Sequence, residues 1–148
     1  MLQKENIPLV SIALCIYNGE RFLKEQLETL VNQTYKNIEI VAVDDCSTDS
    51  SVLILETYKA KYPFINIHRN ARNLGYVKNF EKAISLCKGD FIALSDQDDI
   101  WDPDKIKLQA AQIEPASRTD RPHSQRQRQR GLPARVGNAC ARIFLHFF

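Results

Sequence analysis

Hydrophobic and polar positions follow two different periods along the first two thirds of the chain. Four short apolar runs predict strands that are buried on both faces; they are residues 9–16, 38–43, 65–68 and 91–94. Apolar residues recur at helical spacing in the segments between and after these runs; the first such segment contains Leu23, Leu27, Leu30 and Val31. The order β-α-β-α-β-α-β-α predicts an α/β fold with a Rossmann-like, mostly parallel sheet flanked by helices.

Loop residues predict where the helices begin and end. Asn18 is placed to cap the first helix, and Ser47 or Thr48 to cap the second. Gly89 is expected to end the third helix in the left-handed conformation. Asp102, which a proline follows, is expected to begin the fourth.

The composition changes after residue 109. All lysines lie at or before Lys107, whereas most arginines follow it. Residues 1–109 carry 13 basic and 16 acidic side chains, a net charge of −3, and residues 110–148 carry 7 basic and 2 acidic ones, a net charge of +5. We therefore interpret 1–109 as the ordered domain and 110–148 as a non-native or disordered basic tail. No aromatic residues alternate with the arginines, so no nucleic-acid partner is expected.

The cysteines and the hydropathy restrict the compartment. Cys15, Cys46, Cys87 and Cys140 have no Cys-x-x-Cys spacing, so no zinc site is expected. No apolar run is long enough for a transmembrane segment, and the first residues lack the apolar core of a signal peptide. The expected location is the cytoplasm, with the inner face of the membrane as the alternative.

An acidic cluster follows the fourth predicted strand, at the edge where parallel α/β sheets bind ligands. Asp96 and Asp98 are two residues apart, so on extended chain they would face one ligand together. Carboxylate oxygens suit Mg²⁺ or Mn²⁺. The alternative is an acidic turn that caps the next helix through Asp99 or Asp102; the strand-end position and Trp101 favour the metal site.

Two further clusters follow the first and second strands. A carboxylate of Asp44 or Asp45 can accept the ring N–H of uracil or thymine, whereas residues 47–49 fit a helix-capping loop. Tyr17 can stack on a base and Asn18 can bond to it, although taken alone the pair fits a helix cap better.

A loop at residues 70–75 adds candidates for donor binding. Arg69 or Arg72 can bind phosphate through the guanidinium fork, and for Arg72 a solvated loop position is an equally good interpretation. Asn73 and Gly75 permit tight backbone turns.

The motifs, taken in their order and spacing, resemble family 2 glycosyltransferases with the GT-A fold. The resemblance extends from about residue 8 to 108, and the segments that carry it are VSI at 10–12, YNG at 17–19, QTY at 33–35, EIVAVDDCSTD at 39–49, NLG at 73–75 and GDFIALSDQDD at 89–99. It implies transfer of a sugar from a nucleoside-diphosphate sugar, UDP- or dTDP-linked, to a hydroxyl of a glycan or lipid-linked acceptor.

The resemblance also implies roles for individual residues. The base would be held by Tyr17, Asn18 and the Asp44–Asp45 pair, and Arg72 and Asn73 are further donor-binding candidates. Asp96 would face the ribose or a metal-bound water, and Asp98 would ligate a Mg²⁺ or Mn²⁺ ion that bridges the diphosphate.

The sequence departs from the family pattern after the fourth helix begins. Family 2 enzymes carry an acidic general base well after the metal motif, and neither Glu114 nor Asp120 has a suitable context. We therefore expect a GT-A domain that is incomplete at its C-terminus, with the donor half present and the catalytic base unknown. The alternatives are a catalytically inactive nucleotide-binding fragment and, on the Asp44–Asp45 pair alone, a receiver-like α/β domain.

Overall fold

The strands and helices alternate along the chain as the hydrophobic pattern predicts. The computed structural model describes residues 7–113 and the backbone of residues 142–144. Its strands are β1 Val10–Ile16, β2 Ile38–Asp44, β3 Ile65–Arg69, β4 Phe91–Asp96 and β5 Arg142–Phe144, and its helices are α1 Glu20–Val31, α2 Ser51–Lys61, α3 Tyr76–Leu86 and α4 Lys105–Ile113. All strand pairs are parallel. The predicted α/β fold with a parallel sheet is confirmed.

The sheet has the strand order β3-β2-β1-β4-β5. From β1 the chain proceeds outward to β2 and β3, and it then returns to place β4 on the other side of β1. The strand order therefore reverses at β1, and parallel α/β sheets bind ligands in the crevice at the carboxyl ends of the strands where such a reversal occurs.

Helices cover both faces of the sheet. Side chains from one face of β1, such as Ile12 and Leu14, belong to a core shared with α1, α2 and α4. The other face of β1, which includes Ala13 and Cys15, packs against α3. Because successive strand residues point to opposite faces, a strand covered on both sides is apolar at almost every position, and this explains the nearly continuous apolar run of β1, in which Ser11 is the polar exception.

Three of the predicted helix boundaries are wrong, and for the first two the polar groups expected to cap the helix bond to the other loop instead. Gly19, without a side-chain cap, precedes α1, and Asn18 has a left-handed φ of 47°. Neither Ser47 nor Thr48 caps α2, which Ser50 precedes. The fourth helix begins at Lys105 rather than next to Asp102.

Gly89 is needed for close packing rather than for a left-handed helix end. Helix α3 ends at Leu86, and Gly89 is not among the residues with positive φ. A Cβ atom on Gly89 would lie 2.6 Å from the carbonyl oxygen of Leu9 and 2.7 Å from the backbone nitrogen of Ser11. The Gly89 N–H donates to Ser11 Oγ at 2.8 Å, so this loop lies directly against the start of β1.

The segment between β4 and α4 is fixed by the end of α1. The buried Gln33 donates from Nε2 to the carbonyl oxygen of Asp102 at 2.8 Å and accepts the Ile106 N–H at Oε1 at 3.1 Å. Trp101, which precedes Asp102 in this segment, is buried in the core. Residues 96–104 therefore have a fixed path from the strand to the helix.

Part of the predicted tail lies outside the described residues. Helix α4 continues to Ile113, beyond the predicted boundary at 109, and residues 142–144 pair with β4. The arginine-rich segment 117–130 and Cys140 are not described, so the tail assignment stays a prediction. Among the described helices, none is long and apolar enough to cross a membrane; the cytoplasmic location also stays a prediction.

Replacing Gly89 with alanine is expected to lower the free energy of unfolding by about 1–3 kcal/mol, because the new methyl group meets backbone atoms that cannot turn aside. Lys88→Ala is the control: its side chain is exposed, and its backbone N–H still donates to Glu39. Urea unfolding followed by circular dichroism compares the two variants. Equal midpoints would show that the close approach does not constrain the fold.

Candidate functional site

A cavity of about 370 Å³ lies at the carboxyl ends of β1, β2 and β4, where the strand order reverses. Its lining residues come from the ends of these strands, the loop before α3 and the first turn of α3; they are Cys15, Ile16, Tyr17, Asp45, Asn73, Gly75, Tyr76, Asn79, Asp96 and Gln97. Four of them, Tyr17, Asp45, Asn73 and Asp96, were predicted as site residues.

The other four predicted site residues do not line the cavity; they are Asn18, Asp44, Arg72 and Asp98. Among the lining residues that the sequence did not single out, Tyr76 and Asn79 are the most informative. They lie three positions apart on α3 and so share one helix face. An aromatic and an amide at this spacing, directly after a loop glycine, are the signal that would have found them.

The structure brings Asp45, and not its neighbour, to the cavity. Asp45 is 2% exposed, and its carboxylate accepts from Asn70 Nδ2 and Leu74 N, both at 2.7 Å, and from Gly75 N at 2.9 Å. The carboxylate therefore shapes the loop before α3 as well as one wall of the cavity. Neighbouring residues at a strand end point to opposite faces, and this separates it from Asp44.

Asp44 is completely buried behind the loop that follows β2. Its Oδ2 accepts the Ser47 N–H at 3.0 Å and lies 3.4 Å from Arg69 Nε. Arg69 also donates to the Ser47 carbonyl oxygen at 2.9 Å, so this guanidinium is committed to the loop. Arg72 is exposed, and its contact with phosphate stays a prediction.

The loops after β1 and β2 are joined by reciprocal hydrogen bonds. Asn18 donates its N–H to Ser47 Oγ and accepts the Thr48 N–H at Oδ1, both at 2.9 Å. Asp49 accepts the N–H of Glu20 at the start of α1, and Glu20 accepts the N–H of Ser50 at the start of α2. The first N–H groups of each helix thus receive an acceptor from the other segment, and Asp49 also accepts the Ser51 N–H at the start of its own helix α2 at 3.0 Å.

Residues 96–99 form a turn, so the expected extended arrangement of Asp96 and Asp98 is wrong. The Asp99 N–H donates to the Asp96 carbonyl oxygen at 3.3 Å, and Asp99 Oδ2 accepts the Asp96 N–H at 2.9 Å. The Asp99 carboxylate closes the turn, while Asp96 lines the cavity and Asp98 is exposed at the tip.

Burial, followed by the negative charges of Asp98 and Asp99, raises the pKa of Asp96 above its usual range. Partial desolvation and the charge of Asp96 likewise raise the pKa of Tyr76, which keeps this hydroxyl protonated as a donor. Burial, then Asp96 and Asp45, raises the pKa of Cys15 on the cavity floor, so its thiol stays neutral. The cavity is therefore a region of excess negative charge.

The donor set at this edge fits a divalent cation whose shell is completed by other groups. No three His, Cys, Asp or Glu residues in the described part are arranged to hold a metal by themselves. In the same part, neither Asp96 nor Asp98 forms an ion pair, and burial together with the charges of Asp98 and Asp99 raises the pKa of Asp96. Mg²⁺ and Mn²⁺ bind to one or two carboxylates and complete their shells with water and phosphate oxygens.

A parallel α/β sheet with helices on both faces and a reversal of strand order defines a class, the doubly wound α/β domains, which bind ligands at the carboxyl ends of their strands. The chain belongs to the Glycosyl transferase family 2, whose profile matches residues 11–120. An uncharacterized glycosyltransferase of Haemophilus influenzae is 37% identical over 103 residues, which are 70% of this chain and 32% of that protein. The dTDP-rhamnosyl transferase RfbG of Shigella flexneri is 41% identical over 99 residues, which are 64% of this chain and 34% of that protein.

A solved structure shows the same fold. S. aureus TarS 1–349 in complex with UDP-GlcNAc matches with a TM-score of 0.68 and 31% identity, over 72% of this chain and 31% of that one. The chain thus spans about a third of the length of these relatives.

Asp49→Ala is expected to lower the free energy of unfolding by about 1–2 kcal/mol, because the N–H groups of Glu20 and Ser51 both lose an acceptor. Burial alone would raise the pKa of Asp49, but the hydrogen bonds from Ser51 and Glu20 outweigh it and lower the pKa. This stabilisation is complete above the unfolded value of about 3.9 and disappears as the pH falls through the folded pKa.

Urea unfolding of wild type and Asp49→Ala at a series of pH values measures this difference. The difference in the free energy of unfolding between the two proteins should begin to shrink as the pH falls below about 4. It should vanish once the pH has passed through the lowered pKa of folded Asp49. Glu56→Ala, at an exposed position of α2, should match the wild type throughout. A constant difference between wild type and Asp49→Ala over the whole acid range would rule out the ionised carboxylate as the cap.

Proposed function

We propose that this chain binds the donor of a glycosyltransferase, a UDP- or dTDP-linked sugar, in the cavity at the carboxyl ends of β1, β2 and β4. The observation that carries the proposal is the pairing of two chemistries in one cavity. One side presents Tyr17 and Asp45, and the other presents Asp96, with Asp98 at the tip of the same turn. In the reaction the donor sugar would pass to a hydroxyl of a glycan or lipid-linked acceptor.

The base would lie against the β1 and β2 side of the cavity. Tyr17 is 48% exposed at its rim, so its ring is available for stacking. Asp45 uses three of its four acceptor positions in hydrogen bonds, and the remaining one, on Oδ2, can accept a pyrimidine ring N–H. Asn18 would act indirectly, because its amide oxygen holds the neighbouring loop.

The diphosphate would lie against the acidic turn, together with Mg²⁺ or Mn²⁺. Asp98 and Asp96 would hold the cation, which supplies Lewis-acid neutralisation of the departing nucleoside diphosphate. Asp99 keeps the turn closed. The protonated Tyr76 hydroxyl can donate to a ribose or phosphate oxygen.

Binding of UDP and of dTDP to the full chain should strengthen at least tenfold when Mn²⁺ is added, because the cation bridges groups that otherwise repel one another. Isothermal titration with and without Mn²⁺ measures this. Asp98→Asn should remove most of the gain. Asp90→Asn is the matched control, because Asp90 precedes β4 at the opposite edge of the sheet and its side chain accepts the Leu9 N–H.

Two results would contradict the proposal. A wild-type protein that binds neither nucleotide would exclude the donor site. Equal affinity with and without Mn²⁺ would exclude the role of Asp98.

Donor binding without transfer is the second candidate function, and one observation favours it. Asp45 and Asp96 are the only carboxylates that line the described cavity, and both have donor-side roles, so no lining carboxylate is left to act as the general base. Incubating the full chain with UDP-GlcNAc and Mn²⁺ and measuring release of UDP separates the two candidates. Release above the rate of a heat-denatured control would contradict the second candidate.

A further inference from the structure

The side chain of Gln97 crosses the crevice between the loops after β1 and β4. Gln97 Oε1 accepts the backbone N–H of Tyr17 at 2.8 Å. Tyr17 is the first residue after β1, and Gln97 is the first residue after β4. The bond therefore joins the two loops at the carboxyl ends of the neighbouring strands β1 and β4.

Gly19 provides the space for this contact. A Cβ atom on Gly19 would lie 2.5 Å from Gln97 Oε1 and 2.9 Å from Gln97 Cδ. The backbone of Gly19 does not have a positive φ, so the absence of a side chain there matters for the space that it leaves to the end of the Gln97 side chain. Two independent observations, a hydrogen bond and a missing side chain, thus place Gln97 against the β1 loop.

The turn that carries Gln97 is itself closed by hydrogen bonds, so the bond from Gln97 to Tyr17 connects the whole turn to the loop after β1. The Gln97 N–H donates to Asp96 Oδ1 at 3.1 Å, and Asp99 Oδ2 accepts the Asp96 N–H at 2.9 Å. Any shift of Asp96 is therefore passed through Gln97 to the Tyr17 backbone.

We propose that Gln97 is a positioning residue that holds the Tyr17 loop and the acidic turn as one unit, so that the base and the diphosphate of one nucleotide meet a preformed site. The effect on nucleotide binding rests on the proposed function, whereas the coupling between the two loops does not. A preformed site binds more tightly because less conformational freedom is lost on binding.

The matched variants are Gln97→Met and Gln97→Glu. Methionine keeps the length of the side chain but lacks the carbonyl acceptor, and glutamate keeps an acceptor oxygen. The rate of amide hydrogen exchange at Tyr17, measured by NMR, reports directly on the hydrogen bond between the Tyr17 N–H and Gln97 Oε1. Exchange should accelerate about tenfold in Gln97→Met and stay near the wild-type rate in Gln97→Glu. Gln112→Met, at an exposed position of α4, should leave it unchanged.

Titration with UDP in the absence of metal measures how the loss of this hydrogen bond changes the affinity for the nucleotide. The Kd for UDP should rise about fivefold in Gln97→Met, the scale expected for one lost hydrogen bond, and stay unchanged in Gln112→Met. An equal rate of Tyr17 amide hydrogen exchange in wild type and Gln97→Met would overturn the coupling between the Tyr17 loop and the acidic turn. Faster exchange with an unchanged Kd would overturn the positioning role.

A double-mutant cycle separates this inference from the proposed function, because it needs no ligand. Gly19→Ala should lower Tm in the wild-type background and should have little effect in Gln97→Ala, where the obstructing side chain is gone. Additive effects of the two substitutions would overturn the coupling. If the wild type binds neither UDP nor dTDP, the proposed function fails, and the cycle and Tyr17 exchange still decide whether Gln97 joins the loops.

Discussion

The position of β1 in the middle of the parallel sheet is the constraint on which the rest of the structure depends. Because β2 and β4 pair with it on either side and helices cover both faces of the sheet, its side chains are buried and, apart from Ser11, apolar. The strand order reverses at β1, and the loops after β1 and β4 begin side by side at the carboxyl edge of the sheet. The crevice between them is therefore a result of strand order, and every residue that lines it comes from the end of a strand, the loop before α3 or the first turn of α3.

The polar groups at this edge have two kinds of use. Some satisfy backbone N–H groups that the separated loops would leave unpaired, as Asp44, Asp49 and Asn18 do. Others, Asp96 and Tyr76 above all, face the cavity. Burial and nearby carboxylates raise the pKa of both groups. The first kind holds the loops around the site in place, and in the described part of the chain the Asp96 carboxylate of the second kind forms no ion pair.

The sequence allowed prediction of the element order and of four cavity residues, but local reasoning failed at the helix ends. Asn18 and Thr48 have the composition of local caps, yet their partners lie about 30 positions away in the other loop. The acidic run was expected to be extended, yet the carboxylate of Asp99 folds it into a turn. Gln97 was passed over because a glutamine between two aspartates carries no signal until the Tyr17 backbone is placed beside it.

The sequence by itself determined the periodicity of burial, and with it the alternating strands and helices and the parallel sheet, because hydrophobic burial requires those periods. It also determined that polar clusters follow the strands. Only the tertiary structure decided which member of each cluster faces the cavity: Asp45 instead of Asp44, and Asp96 instead of Asp98. Neighbouring residues of like chemistry differ in the direction of their side chains, and that direction depends on strand pairing and on hydrogen bonds between loops far apart in sequence.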